Sequence, residues 1–399
     1  MVATTVLLTL VVATLASLFM AWAIGAGSSG STPFAPAVGA NAISVMRAGF
    51  FVGILGLAGA VLQGANVSEA VGRELTTGVA LSPGAATVGL VIAGGLVAVG
   101  VGIGYPIATA FTVTGAMIGV GLALGGDPAW AKYRSIGALW LATPVVGGGT
   151  SFAIAKLLGW GRVSERHAVA VLGGLVGALL VNIEFALVGP RGSAASIAAA
   201  LGQRVGTAVP GSQDVAVLAV SAAFALGVFL LLSWDLRRDL EAAQRRFLLA
   251  LGGLVAFSAG GSQVGLAVGP LLPLLDQAAL GIPTTAVLVG GGFGLLVGSW
   301  TGAPRLIKAL ARDYSSLGPR RSIAALIPSF AIAQTAVAFG IPVSFNEIIV
   351  SAIVGGGYAA GTAQVSRTKM VRTALAWVLS FALAFLLSYG SFAGLRALL

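Results

Sequence analysis

Twelve stretches of this chain are long and apolar enough to cross a lipid bilayer. They lie near residues 3–23, 45–64, 84–103, 106–125, 136–158, 168–188, 215–233, 247–258, 282–302, 323–339, 342–361 and 373–395. A crossing helix needs about 20 mostly apolar residues. Inside hydrocarbon every backbone N–H and C=O must find an internal partner, which leaves helices or closed barrels. The runs therefore predict an all-α polytopic membrane protein with about 12 transmembrane spans. Composition agrees: 57% of residues are hydrophobic and only 9% charged, where soluble domains carry about 25% charge. The run at 247–258 is short and is expected to continue through the stretch that follows it. The first run has no basic residue before it and exceeds the roughly 7–15-residue apolar core of a signal peptide, so it reads as the first span.

The net charge of +10 does not point to nucleic acid, because the basic residues sit in short loops between apolar runs. Loops after the first, third, fifth and later odd runs carry Arg47, Arg162, Arg166, Arg237, Arg238, Arg245, Arg246, Arg305, Lys308, Arg312, Arg320, Arg321, Arg367, Lys369 and Arg372. The other side carries only Arg73, Lys132, Arg134, Arg191, Arg204 and Arg396. Cytoplasmic loops are the ones enriched in Lys and Arg, so the expected location is the cell membrane with both termini outside. With no cysteine, one histidine (His167, in a basic loop) and no paired carboxylates at membrane depth, the usual constellations of an intramembrane enzyme or a metal site are missing.

The chain repeats itself. Gly25 in GAGSSGSTPFAPAVG corresponds to Gly260 in GGSQVGLAVGP, and Pro106 in GYPIATAF corresponds to Pro342 in GIPVSFNE. Between these pairs, 69–75 and 307–314 are short charged segments with amphipathic character. The first five runs thus pair with the last five. A shift of seven runs makes the second copy enter the membrane from the opposite side, an inverted repeat with broken or re-entrant helices. The expected organisation is a first repeat over 1–160, two linking spans and a basic cytoplasmic loop over 161–246, and a second repeat over 247–399. The mixed-charge segment 234–246 reads as one solvated helix.

Irregular backbone at membrane depth is tolerated only when buried in protein or lining a wet cavity, and a broken helix offers free N–H groups and a positive dipole end to an anion. The glycine-rich stretches are therefore expected to be interrupted. Their polar residues, Ser28, Ser29, Ser31, Thr32, Ser258, Ser262 and Gln263, are candidate substrate ligands. So are Thr109, Ser344 and Asn346, which follow a proline that opens a helix. Glu347 lies a few residues into an apolar run. Acids at such depth face a cavity or a partner, and it is the candidate for coupling to a proton or another cation. The competing explanation for the glycine and serine tracts is close helix packing.

On these motifs the chain resembles the inorganic phosphate transporter family, a likeness shared with a branch of sulfate permeases, over about residues 20–160 and 247–390. The family's repeated signature, Gly-Ala-Asn-Asp-Val-Ala-Asn-Ala, aligns with Gly25 to Thr32 and with Gly260 to Ala267. Its second motif, Leu-Pro-Val-Ser-Thr-Thr-His, aligns with Tyr105 to Phe111 and Ile341 to Glu347. The resemblance implies transport of an inorganic oxyanion and a possible homodimer in the lipid bilayer. The family's Asn and Asp fall here on Gly27 and Ser28, and on Ser262 and Gln263; its His falls on Phe111 and Glu347; Thr109 and Ser344 keep the hydroxyl.

That departure matters chemically. Phosphate near neutral pH carries a proton and needs an acceptor, whereas sulfate suits a site made only of donors. An unpaired buried acceptor discriminates strongly between them. The expected function is a secondary-active permease for an inorganic oxyanion, phosphate first, with sodium or proton coupling and no resident cofactor. A sulfate permease and a non-transporting scaffold or sensor are the alternatives.

Overall fold

A computed structural model describes residues 2–185, 188, 194–206, 213–278, 281–361 and 365–398; Arg191 lies outside them. The chain is almost entirely helical. The helices are α1 (Val2–Ile24), α2 (Ala35–Gly39), α3 (Val45–Gln63), α4 (Ala65–Arg73), α5 (Pro83–Ile103), α6 (Thr109–Ala123), α7 (Trp130–Gly159), α8 (Glu165–Val181), α9 (Ile197–Gly206), α10 (Gln213–Arg238), α11 (Leu240–Val268), α12 (Leu272–Gln277), α13 (Thr284–Thr301), α14 (Ala303–Arg312), α15 (Pro319–Ala338), α16 (Phe345–Tyr358) and α17 (Arg367–Leu398). Each of the twelve apolar runs finds its helix. Among the described residues, nine helices are long and apolar enough to cross a membrane unaided; α6, α8 and α16 are shorter.

Contacts between loops sort the connections of these twelve segments onto two faces in alternation. On the basic face, Arg245 Nε donates to Ala42 O at 2.8 Å, Arg320 pairs with Glu165 at 2.7 Å and Arg305 reaches Gly102 O. Lys369 pairs with Asp313 at 3.2 Å and lies over the Tyr105 ring. All six odd loops are joined in this way. On the opposite face, Arg73 pairs with Asp276 and Lys132 pairs with Glu74 at 2.6 Å and donates to Gly340 O. There too, Gln63 donates to Glu184 O and Arg396 donates to Ala123 O. Thus α1 begins on one face and its counterpart α11 on the other, as an inverted repeat requires.

The repeats interlock. Helix α1 crosses α13, and α11 crosses α3, with backbones in direct contact. A Cβ on Gly25 would lie 2.1 Å from Leu295 O, and one on Gly298 2.1 Å from Trp22 O. At the equivalent crossing, a Cβ on Gly260 would lie 1.9 Å from Gly56 O, and one on Gly59 1.8 Å from Phe257 O. Packing therefore explains Gly25 and Gly260. The short helices α4 and α14 are amphipathic as expected: Val67, Ala70 and Val71, and Leu306, Ile307 and Leu310, are buried while their charged residues face outward.

Two expectations need correction. The first glycine-rich stretch is interrupted: α1 loosens into a π-helical turn over Gly25–Ser29, and the chain turns before α2. The second is not interrupted where expected. Helix α11 runs intact through Val268, and only Gly269–Leu271 tightens into a 3-10 turn before α12. The reason is that Gly260 and Gly265 serve close packing against α3 and α4, which leaves the helical ladder whole. The interruptions follow the prolines instead: Pro33 and Pro36 in one copy, Pro270 and Pro273 in the other, residues that lack the N–H a continuing helix needs. The segment 234–246 is also not one helix. It is the end of α10 and the start of α11, divided at Asp239, whose side chain caps α11 by accepting from Ala242 N at 3.0 Å.

Candidate functional site

Each repeat builds a re-entrant turn. Helix α5 ends at Gly104 (φ +75) and α15 is followed by Gly340 (φ +58), left-handed positions that favour glycine. The closing bonds match: Tyr105 N to Gly100 O and Ile341 N to Ala336 O, both 2.9 Å. Residues 105–108 and 341–344 then run without regular structure toward the interior before α6 and α16 begin. Four extended residues cover about 13 Å, and helices of 15 and 14 residues add about 21–22 Å. Each unit so spans the roughly 30 Å hydrocarbon core, and the N-termini of α6 and α16 meet from opposite sides near its middle.

There a closed ring of hydrogen bonds joins both repeats. The Thr109 hydroxyl donates to Gln263 Oε1 at 3.1 Å and to Ser28 Oγ at 3.3 Å, a bifurcated arrangement. Gln263 Nε2 donates to Val343 O at 2.8 Å. Asn346 Nδ2 donates to Gly27 O at 2.8 Å and Ile107 O at 2.6 Å. The residues expected from sequence thus converge: Ser28 from the π turn, Thr109 opening α6, Gln263 from mid-α11 and Asn346 from the first turn of α16. Ser262 adjoins Gln263, and Ser344 is the N-cap of α16. Neither Ala108 nor Ser344 caps its helix with a side-chain bond, so neither supplies a partner for the first N–H groups of its helix.

The unmet polar groups narrow the candidates further. Among the described residues, six buried side-chain polar atoms lack a partner, and four belong to the candidates: Ser262 Oγ, Ser344 Oγ, Asn346 Oδ1 and Glu347 Oε2. Buried polar atoms in native proteins are nearly always paired. The two free hydroxyls belong to Ser262, next to Gln263 in α11, and to Ser344, the N-cap of α16, and the free amide oxygen to Asn346 in the first turn of α16; these are groups that a small polar anion can pair with. The orientation of the Asn346 amide is fixed by its two carbonyl partners, because the flipped amide would place oxygen against oxygen.

Other candidates fall outside the ring. Ser29, Ser31 and Thr32 bond carbonyls of their own turn: Ser31 Oγ and Thr32 Oγ1 reach Ser28 O at 3.2 and 3.0 Å, and Ser29 Oγ reaches Ile24 O at 3.5 Å. Ser258 belongs to a second polar chain. Its Oγ accepts from Gln334 Nε2 at 2.6 Å, Gln334 bonds Gln63, and Gln63 reaches Glu184 O. Glu347 follows Asn346 in sequence, but no hydrogen bond joins it to the ring, and it is among the residues lining an apolar groove with Phe111 and Trp140. Every one of these candidates exposes 2% of its surface or less, so the junction is closed to both faces.

Two supporting residues escaped the sequence reading. Trp140 Nε1 of α7 donates to Pro342 O at 3.0 Å, and Trp377 Nε1 of α17 donates to Pro106 O at 2.8 Å. Each tryptophan holds the re-entrant turn of the other repeat. Their equivalent positions in the two halves were the available signal.

Comparison with known proteins agrees with this architecture. The sequence model of the phosphate transporter family matches residues 24–388. A protein named as a phosphate permease in Thermococcus kodakarensis is 25% identical over 92% of this chain and 93% of its own length. The chloroplastic inorganic phosphate transporter 2-1 of Arabidopsis thaliana is 26% identical over 91% of this chain and 68% of its own. A solved sodium-dependent phosphate transporter shares the fold, with a TM-score of 0.81, 22% identity, and coverage of 98% of this chain and 100% of that one. With the family's model matched across both repeats and the re-entrant junction between them, this chain belongs to the phosphate transporter family.

Proposed function

We propose that the protein carries inorganic phosphate across the cell membrane by alternating access, coupled to protons through Glu347. The observation that carries the choice of phosphate is the free Asn346 Oδ1. Ser262, Ser344 and the helix N-termini supply donors, which any oxyanion accepts. An acceptor held in place by two carbonyls is useful only to an anion that still bears a proton. Sulfate would leave that oxygen unpaired, at a cost of about 1–3 kcal/mol.

Alternating access is supported by the closed junction and by a separate seal on each face. On the basic side, Ser322 Oγ donates to Pro36 O at 2.7 Å, tying α15 to α2. Beside this tie a surface cavity of 910 Å³ is lined by Asn41, Gln244, Arg245, Arg320 and Arg321. On the other side, Lys132 bridges Glu74 and Gly340. Opening one seal while the other holds exposes the same ring to either face. The excess of Lys and Arg supports a cytoplasmic basic side with both termini outside. Glu347 is the carboxyl nearest the ring in sequence and is buried, a position from which a proton can bias one arrangement over the other.

Equilibrium binding of labelled phosphate to the purified protein, with sulfate as competitor, tests the assignment. We expect phosphate to bind and sulfate to compete at least tenfold less well. Asn346→Leu should weaken phosphate and narrow the gap. Equal competition by sulfate would overturn the reading.

A further inference from the structure

Two of the ion pairs, one on each face, are related by the same inverted repeat as the re-entrant turns. On α7, Lys132 stands eight residues before Trp140; on α17, Lys369 stands eight residues before Trp377, and both residues recur at one offset of 237 positions. Lys132 pairs at 2.6 Å with Glu74, the C-cap of α4. Lys369 pairs at 3.2 Å with Asp313, the C-cap of α14. Helices α4 and α14 are themselves the matching amphipathic segments of the two repeats. Each ammonium also reaches the turn of the other repeat, at or beside its left-handed glycine. Lys132 Nζ donates to Gly340 O at 3.3 Å, and Lys369 Nζ lies 4.4 Å from the centre of the Tyr105 ring, next to Gly104. Burial matches too: the lysine side chains are 16% and 20% exposed, their carboxylate partners 52% and 45%.

We propose that Lys132 and Lys369 are a symmetric pair of latches, positioning residues that set which face of the molecule opens. A single ion pair on a protein surface contributes little. Here each lysine is mostly buried and joins three elements: the end of an amphipathic helix, the helix whose tryptophan holds a re-entrant turn, and the start of that turn. The tie is made twice, on opposite faces, which coincidental surface pairing does not produce. Each tryptophan follows its lysine by about 12 Å along the helix, so each turn is held at two points on its way to the junction. An arrangement open on one face gives up that face's latch and keeps the other. Removing a latch therefore lowers the cost of opening its own face only, and the population shifts that way. The inference rests on the alternating-access part of the reading above and adds what sets the balance between its two open forms.

The test uses the full chain in nanodiscs, where a charged methanethiosulfonate reagent reaches both faces and finds no native cysteine. Ser322→Cys reports the basic face. Ala86→Cys, buried with Leu271 and Leu274 near the start of α5, reports the opposite face. We expect Lys369→Met to speed reaction of the Ser322→Cys thiol at least threefold without speeding that of Ala86→Cys, and Lys132→Met to do the reverse. Lys369→Arg and Lys132→Arg, which keep the charge, should retain the parent rates. Asp313→Asn and Glu74→Gln release the same latches from the other partner and repeat the test if a lysine variant does not fold. Rates raised at both thiols alike, raised at neither, or raised as much by arginine as by methionine would each overturn the proposal. Phosphate added to the reporters with both lysines intact tests the transport reading separately. Rates there indifferent to phosphate, beside face-specific rates in the lysine variants, would overturn phosphate as the ligand and uphold the latches.

Discussion

Among the hydroxyls of the candidate site, a pairing difference separates the proposed ligands from braces. Ser262 and Ser344 hold hydroxyls with no partner in the protein, whereas Ser31 and Thr32 close their own turn. Ser262→Ala and Ser344→Ala should each weaken phosphate binding about 10–100-fold, the equivalent of about 1.5–3 kcal/mol for a hydrogen bond to a charged group. The melting temperature should hardly move, because no internal bond is lost. Binding isotherms and thermal unfolding of the same samples check this; an unstable variant with unchanged affinity would mark these serines as braces. None of this contrast is visible in sequence, where a hydroxyl that bonds its own turn looks the same as one that faces a ligand. The place of Asn346 at the junction was legible because an amide just after a helix-opening proline has few bland explanations. The freedom of its oxygen was not, since it depends on where Gly27 and Ile107 place their carbonyls.

Elements show the reverse balance. The helices under all twelve apolar runs were legible, because about 20 apolar residues must become a helix in lipid. The second interruption was misplaced because glycine serves two purposes, loosening backbone and permitting close approach. At Gly260 the second dominates: Gly260→Ala would push a methyl to 1.9 Å from Gly56 O and should cost about 1–3 kcal/mol or more. Gly95→Ala, where a Cβ meets nothing within 4 Å, should cost nothing, and thermal unfolding of the pair in detergent separates the cases. The contact between α8, α11 and α15 has a pH signature. The Arg320 guanidinium, then the Gln244 amide, holds the Glu165 carboxyl below its usual range despite partial burial. A depressed carboxylate contributes stability above its unfolded pKa and loses it as pH falls through the folded one. Glu165→Gln should therefore lower stability by up to about 1 kcal/mol at neutral pH, as expected for a pair whose Arg320 side is open to solvent screening, and the difference from the parent should shrink in acid below the usual carboxylate range. A difference that persists there would assign the effect to packing.

For the whole molecule, the pseudo-symmetry ties each re-entrant turn to the opposite repeat, through Trp140 on Pro342 and Trp377 on Pro106. These two bonds link α7 and α17 directly to the turns that lead into the junction between the repeats. The chain contains no cysteine, so a single introduced thiol reports access without background. Ser322→Cys, at the seal between α2 and α15, should react with a charged thiol reagent only when the basic side opens, and phosphate should change its rate. A rate indifferent to phosphate would show that this contact is no gate. The most direct measurement is uptake of radiolabelled phosphate and sulfate, in parallel, into proteoliposomes with proton and sodium gradients imposed separately. We expect phosphate uptake driven by the proton gradient, with sulfate taken up at least tenfold more slowly and the pH dependence lost in Glu347→Gln. Sulfate uptake equal to phosphate, or phosphate uptake that responds to sodium alone and is unchanged in Glu347→Gln, would contradict the roles given to Asn346 and Glu347.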